Sequence, residues 1–297
     1  MLIAAGVGLM LAGGVAVAAL SPATILNHFT PGGFSVASGL RYEPGPRGEL
    51  DVYRPRDARN APIVVFFYGG SWQEGSRRFY RFVGAALAAR GVVAVIPDYR
   101  VYPQTRFPGF LRDGAAAVAW ARNHAADYGA DPSRLFLMGH SAGAYIAAML
   151  ALDPEWLAPF GLRPERDVAG LIGLAGPYDF LPLTDPVLQT IFGPAAGLAR
   201  TQPINFVTPG APPAFLAAGL QDHTVDPGNT ARLAAKLRQA GDAAEVKFYP
   251  GIDHRKLAGA LSPLLGFLAP VLPDCLAFIR QTRPQSQMQP QPQRSAA

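Results

Sequence analysis

The chain has 297 residues, 49% of them hydrophobic and 16% charged, which is enough for one large core, and an α/β domain of this length need not be divided. Its net charge of +5 comes from dispersed basic residues without a basic run, so the composition argues against a nucleic-acid-binding protein. The single cysteine, Cys275, excludes an intramolecular disulfide framework and a cysteine-rich metal site.

The N-terminal segment, residues 2–20, is apolar and uncharged, and the first charged side chain is Arg41. Ala16-Val17-Ala18 fits a signal-peptide cleavage pattern, and a run of about 19 apolar residues is also long enough to span a bilayer. We expect residues 1–20 to be a signal peptide or a membrane anchor rather than a buried helix. This predicts a protein that is exported, periplasmic or secreted, or anchored in the inner membrane. Residues 21–36 are expected to form a linker.

The segment 37–280 is expected to be the folded domain, because continuous apolar runs alternate there with alanine-rich helical stretches. Two strands at 38–42 and 49–53 are predicted to form an opening hairpin. Further strands are predicted at 63–68, 92–96, 134–138, 168–175, 214–219 and 245–249. Helices are predicted at 79–90, at 110–128, from 142 onward, at 229–240 and, interrupted by prolines, at 257–280.

This order of elements predicts an α/β fold, with a mostly parallel, doubly wound sheet and an antiparallel hairpin at one edge. Residues 176–213 break into short pieces punctuated by proline and glycine, which predicts a small lid insertion over the site. The tail, residues 281–297, is rich in Gln, Pro and Ser and is expected to be disordered. In such a sheet the functional groups lie on loops at the carboxyl ends of the strands.

The pentapeptide Gly139-His140-Ser141-Ala142-Gly143 joins a predicted strand to a predicted helix. The two glycines are needed because a side chain at either position would collide with the neighbouring strand or helix. A turn of this shape lifts one hydroxyl clear of the sheet and places a helix N-terminus beside it. Ser141 is therefore the predicted nucleophile.

A neutral hydroxyl is a poor nucleophile and needs a neighbouring base. His254 follows the last predicted strand, in a loop that can reach Ser141. His223 is the alternative base, whereas His140 is expected to point away from the side of Ser141. We predict His254 as the general base and then the general acid.

A carboxylate is expected to orient the imidazole and to stabilise its charged form. Asp222 follows the predicted strand 214–219 most closely and is favoured for this role. Asp226 is the first alternative, and Asp253 and Asp179 are weaker ones. The order serine, aspartate, histidine is the order expected for this kind of sheet.

Backbone N–H groups are expected to stabilise the oxyanion that forms during acyl transfer. Ala142 is the first residue after the nucleophile and lies at a helix N-terminus. Gly70 and Ser71 belong to a tight turn at the end of the strand 63–68, which leaves their N–H groups uncovered. We predict an oxyanion hole formed by Gly70, Ser71 and Ala142.

These residues resemble those of the α/β-hydrolases of the carboxylesterase type, close to the bacterial esterase and kynurenine-formamidase-like (BD-FAE-like) branch. The resemblance covers about residues 38–280 and is carried by Tyr68-Gly-Gly-Ser-Trp72 with Gly75, Pro97-Asp-Tyr-Arg100, Gly139-His-Ser-Ala-Gly143, Asp222 with Val225, and His254. It implies cofactor-free hydrolysis of carboxylic esters through an acyl-enzyme, with no metal. The family usually has His-Gly-Gly where this chain has Tyr68-Gly69-Gly70, which changes the hydrogen bonds that brace the loop.

Asp98-Tyr99-Arg100 resembles a family motif whose expected role is a buried structural brace. The natural ester is not predicted, but several aromatic side chains are able to line an apolar pocket, although each is also a candidate for the core: Trp72, Phe107, Phe110, Tyr178, Phe180 and Phe192. The favoured hypothesis is a serine esterase acting on small carboxylic esters. An arylformamidase or amide hydrolase is the alternative enzyme, and a binding protein that lacks turnover is the alternative from another class.

Overall fold

The computed structural model describes residues 22–282, and its strands form one sheet. The strands are β1 (Phe34–Arg41), β2 (Glu49–Pro55), β3 (Ala61–Phe67), β4 (Val93–Pro97), β5 (Ala130–His140), β6 (Gly170–Leu174), β7 (Ala214–Gly219) and β8 (Ala244–Tyr249). Their order across the sheet is β1-β2-β4-β3-β5-β6-β7-β8. β2 runs antiparallel to β1 and to β4, and the remaining neighbours are parallel. The predicted mostly parallel sheet with an antiparallel hairpin at one edge is therefore confirmed.

Helices connect the strands, as expected of parallel neighbours, which need a crossover connection. The α-helices of the described residues are α1 (Pro22–His28), α2 (Arg81–Ala88), α3 (Gly109–Asn123), α4 (Ala142–Leu152), α5 (Pro164–Asp167), α6 (Pro186–Phe192), α7 (Gly228–Gln239), α8 (His254–Gly259) and α9 (Val271–Gln281). Short 3-10 segments precede α2, follow α3 and continue the chain after α6.

The core is centred on β5, which pairs with β3 on one side and with β6 on the other. Its last six residues are all buried, which explains why residues 135–140 lack the alternation of a half-exposed strand. Helix α4 follows directly, and all 11 of its residues are buried. Its alanines and single glycine allow this helix to pack closely against β3, β5 and β6. The turn at residues 139–143, which carries the predicted nucleophile and is called the elbow below, thus lies in the most buried part of the fold.

The largest departure from the sequence prediction lies in the segment 21–36, which was expected to be a linker. Helix α1 occupies part of it, and β1 begins at Phe34 rather than at residue 38. Asn27 fixes α1 to the start of α2, because its Oδ1 accepts from Phe82 N and its Nδ2 donates to Arg78 O. The expected signal peptide or anchor at residues 1–20 and the expected tail from residue 283 lie outside the described residues. No helix within residues 22–282 is both long and apolar enough to cross a membrane.

Helix boundaries differ from the predictions at two further points. The helix predicted at 79–90 begins as a 3-10 turn, and α2 itself ends at Ala88. The helix predicted at 110–128 ends at Asn123 and is followed by a 3-10 turn at Ala126–Tyr128. The segment 176–213 lies between β6 and β7, so it leaves the sheet at the edge where the strands end. This places the predicted lid insertion beside the elbow.

Candidate active site

At the centre of the elbow, Ser141 lies between the last residue of β5 and the first residue of α4. Its backbone has φ 56° and ψ −125°, a conformation that is strained for a residue with a side chain. The flanking glycines are required by close approach: a Cβ at Gly139 would collide with Gly143 O, and a Cβ at Gly143 would collide with Phe67 O. The chain therefore makes the sharp turn that presents Ser141 Oγ at the carboxyl edge of the sheet.

An imidazole and a carboxylate meet at the same edge. His254 Nδ1 lies 2.7 Å from Asp222 Oδ2, although the two residues follow different strands, β8 and β7. Asp222 Oδ1 accepts from the N–H groups of Thr224 and Val225, each at 2.9 Å. Burial works against ionisation of Asp222, but the hydrogen bonds from His254, Val225 and Thr224 outweigh it and lower the pKa of this carboxyl group. Asp222 is thus held as a carboxylate against the ring of His254.

The alternatives raised by the sequence lie elsewhere or have other partners. His223 is exposed. Asp226 accepts from Gly228 N at the start of α7, and Asp253 caps α8 by accepting from Lys256 N. Asp179 forms a salt bridge of 2.6 Å with an arginine of α7. The carboxylate that accepts from His254 Nδ1 is thus that of Asp222, and the other three aspartates have other partners.

Ser141 Oγ makes no hydrogen bond to another residue of the described chain, and the contact to His254 is not closed in this structure. The two residues are nevertheless neighbours, because the ring of His140, which precedes Ser141, lies 4.6 Å from the ring of His254. Hydrogen bonds between a nucleophile and its base are commonly long in ligand-free enzymes and shorten when substrate binds. The open contact is therefore compatible with Ser141 as the nucleophile and His254 as its base.

The loop after β3 contains three successive residues with positive φ: Gly70 at 137°, Ser71 at 51° and Trp72 at 58°. Gly70 O accepts from the N–H groups of Gln73 and Glu74, which closes the turn. Ser71 and Ala142 both line the cavity next to Ser141, and the backbone N–H of neither donates to another described residue. The N–H of Gly70, in the same loop, likewise donates to no other described residue. The N–H groups of Gly70, Ser71 and Ala142 are thus all free to donate to an oxyanion, and Ser71 and Ala142 line the cavity itself.

Tyr68, which stands where the family usually has histidine, braces this loop from behind. Its hydroxyl donates to Asp98 Oδ1 at 2.9 Å and accepts from Arg47 Nη1 at 3.2 Å. Its carbonyl accepts from the hydroxyl of Tyr99 at 2.6 Å, and the two rings stack with centroids 4.6 Å apart. Asp98 also accepts from Arg77 N. Burial raises the pKa of the Tyr68 phenol well above its ordinary value, so this group remains a donor.

Replacing Tyr68 with phenylalanine keeps the stacked ring but removes the donor to the buried Asp98. We expect the free energy of unfolding in urea to fall by about 1–3 kcal/mol, the contribution of one buried hydrogen bond to a charged group, since Asp98 keeps its bonds from Arg77. The control is Tyr249→Phe, which removes a hydroxyl bound to Asp274 at 2.7 Å on the last strand, away from the loop. We expect kcat for a test ester to fall in Tyr68→Phe and to be unchanged in Tyr249→Phe. Equal stability of Tyr68→Phe and the wild type would contradict the bracing role.

A cavity of about 400 Å³ opens over the elbow. Its walls come from the loop after β3, from residues 177–188 of the lid insertion and from residues 224–232 at the start of α7. Trp72 and Phe180 line it, and their rings stack with centroids 6.2 Å apart. The volume falls in the range of small-molecule sites, which is about 300–1,000 Å³.

The other aromatic residues considered from the sequence lie behind this wall. Phe192 packs edge-on against Trp72 at 4.8 Å, and Phe110 lies 6.2 Å from the same ring. Phe107 packs against Phe192 at 6.0 Å, and Tyr178 is fully buried. Of these six aromatic residues, Trp72 and Phe180 therefore line the cavity, and Phe110 and Phe192 pack directly behind them.

Sequence reasoning missed two polar residues of α7 that join the cavity walls. Asn229 Oδ1 accepts from the backbone N–H groups of Tyr178 and Asp179, at 2.9 and 2.8 Å. Arg232 Nε pairs with Asp179 Oδ2 at 2.6 Å. These contacts fix the start of the lid insertion to α7. No motif marks either residue, because both act on a segment that is 50 or more residues away in the chain.

No group of three or more His, Cys, Asp or Glu side chains within residues 22–282 is arranged to hold a metal ion. The polar groups at the elbow are instead one hydroxyl, one imidazole, one carboxylate and three backbone N–H groups.

A strained serine after the central strand, with a paired carboxylate and imidazole after the last two strands of a mostly parallel sheet, defines an α/β-hydrolase. Residues 50–237 of the chain match the family described as BD-FAE, which is more than half of the sequence. The chain belongs to this family. The resemblance stated from its motifs is therefore confirmed.

The relatives of the chain are esterases by name. The probable isoprenylcysteine alpha-carbonyl methylesterase ICMEL1 of Arabidopsis thaliana is 27% identical over 245 residues, which is 75% of this chain and 51% of the relative. Esterase LipC of Mycobacterium tuberculosis is 31% identical over 234 residues, 72% of this chain and 58% of the relative. The chain thus spans little more than half the length of these two proteins. Among solved structures, Thermogutta terrifontis esterase 2 phosphoramylated by tabun has a TM-score of 0.68 and 25% identity, covering 85% of this chain and 97% of that one.

Proposed function

We propose that the chain hydrolyses small carboxylic esters through an acyl-enzyme formed on Ser141. The observation that carries this proposal is the 2.7 Å contact between His254 and Asp222 at the sheet edge where the strained Ser141 stands. The esterase names of the relatives support ester hydrolysis. Structures of T. terrifontis esterase 2 with butyrate and with propionate bound, together with the cavity of about 400 Å³, favour short acyl groups.

In the proposed reaction, Ser141 Oγ attacks the ester carbonyl carbon while its proton passes to His254 Nε2. The carbonyl oxygen becomes an oxyanion, which the N–H groups of Gly70, Ser71 and Ala142 stabilise as hydrogen-bond donors. The bond to the alcohol oxygen then breaks as His254 returns the proton to the leaving group. Water, deprotonated by the same nitrogen, attacks the acyl-enzyme and releases the carboxylic acid and Ser141.

Asp222 holds His254 in the tautomer this reaction needs. Because its Oδ2 accepts from Nδ1, the ring proton is on Nδ1 and the lone pair of Nε2 faces the nucleophile. The lowered pKa of Asp222 keeps it ionised, so it also stabilises the imidazolium that forms when His254 takes the proton.

The direct test is turnover of p-nitrophenyl acetate, butyrate and palmitate by the purified full chain, with formanilide as the amide counterpart. We expect hydrolysis of the acetate and butyrate esters, little of the palmitate and little of the anilide. A fluorophosphonate is expected to label one serine, and peptide mass spectrometry should locate the label on Ser141. Stoichiometric binding without turnover or labelling would favour the hydrolase-fold binding protein, and preferred turnover of the anilide would favour the amide hydrolase.

We further propose that residues 1–20 export the chain or tether it to a membrane, since residues 2–20 are apolar and uncharged. The mass of the mature N-terminal peptide and the fraction of the protein in washed membranes test this proposal. An intact N-terminus in a chain recovered only from the cytoplasm would contradict it.

A further inference from the structure

We propose that His140 is a positioning residue for His254: through a hydrogen bond to the backbone of His254, it holds the base opposite Ser141. The proposal deepens the ester hydrolysis proposed above and rests on it. His140 is the middle residue between Gly139 and Ser141 in the elbow, and the reaction described above does not use it.

The contact joins the central strand to the last loop of the site. His140 Nε2 lies 3.0 Å from His254 O, across 114 residues of the chain. The rings of the two histidines lie 4.6 Å apart and are tilted by 46°. A carbonyl oxygen only accepts hydrogen bonds, so His140 Nε2 carries the proton. In its neutral form His140 therefore has its hydrogen on Nε2 and a bare Nδ1.

The other side of the ring faces the oxyanion loop. His140 Nδ1 is buried and has no hydrogen-bond partner. A Cβ at Gly69 would lie 3.2 Å from this nitrogen and 3.0 Å from Ser141 Cβ. The ring therefore fills the space between the loop after β3, the elbow after β5 and the start of α8. Burying a nitrogen without a hydrogen-bond partner costs free energy, and an apolar side chain of similar size would avoid that cost. The presence of histidine here therefore points to a function of the other ring nitrogen, Nε2.

His140 belongs to the central strand and holds His254, which lies on a short helix. It lies in β5, where its register partner on β6 is Leu174. His254 is the first residue of α8, a helix of only six residues. Asp222 fixes the side chain of His254, and His140 fixes its backbone. Two anchors set both the position and the rotation of the ring, as needed for a base that must meet Ser141 Oγ.

The position of His140 also requires that it stay uncharged. Burial and the neighbouring His254 lower the pKa of His140 to about 3, against the smaller opposing effects of the His254 carbonyl and Asp222. A protonated His140 would place a like charge beside the imidazolium formed during catalysis. Near neutral pH His140 is thus uncharged and places no like charge beside the imidazolium of His254.

The test compares His140→Leu, which removes the donor, with His140→Gln, whose amide nitrogen reaches a similar position and can donate to the same carbonyl. We expect kcat for p-nitrophenyl butyrate to fall roughly 10- to 100-fold in His140→Leu, the effect of misplacing a catalytic group by about 1 Å. KM should change little, because His140 does not line the cavity. His140→Gln should recover most of kcat. Wild-type kcat in His140→Leu, or equal losses in the two variants, would overturn the proposal.

The matched control is His124→Leu. His124 is half-buried where His140 is buried, but it also bonds a backbone carbonyl, Trp120 O at 2.8 Å, and it follows α3 at the edge where the strands begin. We expect this variant to lose stability without losing kcat.

A second measurement uses the wild type and does not depend on the folding of any variant. Two-bond ¹⁵N–¹H correlation spectra of the full chain should show one neutral histidine with hydrogen on Nε2 that does not titrate between pH 5 and 8. Hydrogen on Nδ1 of His140, or titration in that range, would overturn the proposal. Absence of ester turnover by the wild type would instead contradict the proposed function, so the two failures are distinguishable.

Discussion

Replacing Ser141 with alanine is expected to abolish ester turnover, with kcat falling by about a million-fold, as when the nucleophile of another serine hydrolase is removed. Without Oγ no acyl-enzyme forms, and the Gly70, Ser71 and Ala142 N–H groups have only an uncatalysed attack by water to assist. The fold should be unaffected, because Ser141 Oγ has no hydrogen bond to another described residue and alanine keeps the Cβ. Loss of activity at unchanged stability in Ser141→Ala would therefore identify Ser141 as the nucleophile.

The measurement is kcat for p-nitrophenyl butyrate together with the midpoint of thermal unfolding. Ser133→Ala is the control, because Ser133 is an exposed serine at the other end of the same strand, β5, and donates to Asp131. It should retain wild-type kcat and fluorophosphonate labelling, whereas Ser141→Ala should lose both. Turnover of Ser141→Ala within tenfold of the wild type would mean that another group is the nucleophile.

Much of the fold could be predicted because its signals are local. The continuous apolar run at residues 214–219 coincides with β7, since a strand covered on both faces needs no alternation. Helix α1 could not be predicted, because seven residues form a stable helix only through tertiary contacts. Those contacts come from Asn27 to Phe82 and Arg78, about 50 residues away.

The residues of the candidate site could be predicted because parallel strands end at the same edge of the sheet, so residues that follow them lie close together. Ser141, Asp222 and His254 each follow a strand, and the structure places Asp222 and His254 in direct contact. The choice of Asp222 over Asp226 rested on distance from the strand end, which is also what the geometry favours. Gly70 was chosen on the same ground; its carbonyl closes a turn, its N–H has no acceptor among the described residues, and its part in the oxyanion hole stays a prediction.

The contact between His140 and His254 could not be predicted from the sequence. The expectation that His140 points away from the side of Ser141 excluded it as the base, and no contact to His254 was foreseen. The structure places its ring against His254, a residue 114 positions away. Only the register of β5 and the course of the loop before α8 determine that contact. The same holds for Asn229, whose helical position says nothing of the lid residues it binds.

Replacing Asp222 with asparagine is expected to lower kcat by about 10,000-fold while leaving the fold intact. The reason lies in how the two carboxylate oxygens are used. Oδ1 accepts from the N–H groups of Thr224 and Val225, so the remaining oxygen of asparagine stays there. The amide NH₂ then faces His254 Nδ1, which can only accept. The ring proton moves to Nε2, and His254 has no lone pair left for the proton of Ser141.

The measurement is kcat as a function of pH, with Asp226→Asn and Asp253→Asn as matched controls. Asp226 and Asp253 are also aspartates that accept from backbone N–H groups near a helix start, but neither carboxylate accepts from the His254 ring. They should retain kcat within a few-fold, and the Asp222→Asn variant should recover part of its activity at high pH, where hydroxide replaces the base. If Asp226→Asn lost activity while Asp222→Asn kept it, the orienting carboxylate would be Asp226 and the contact seen here would be a resting arrangement.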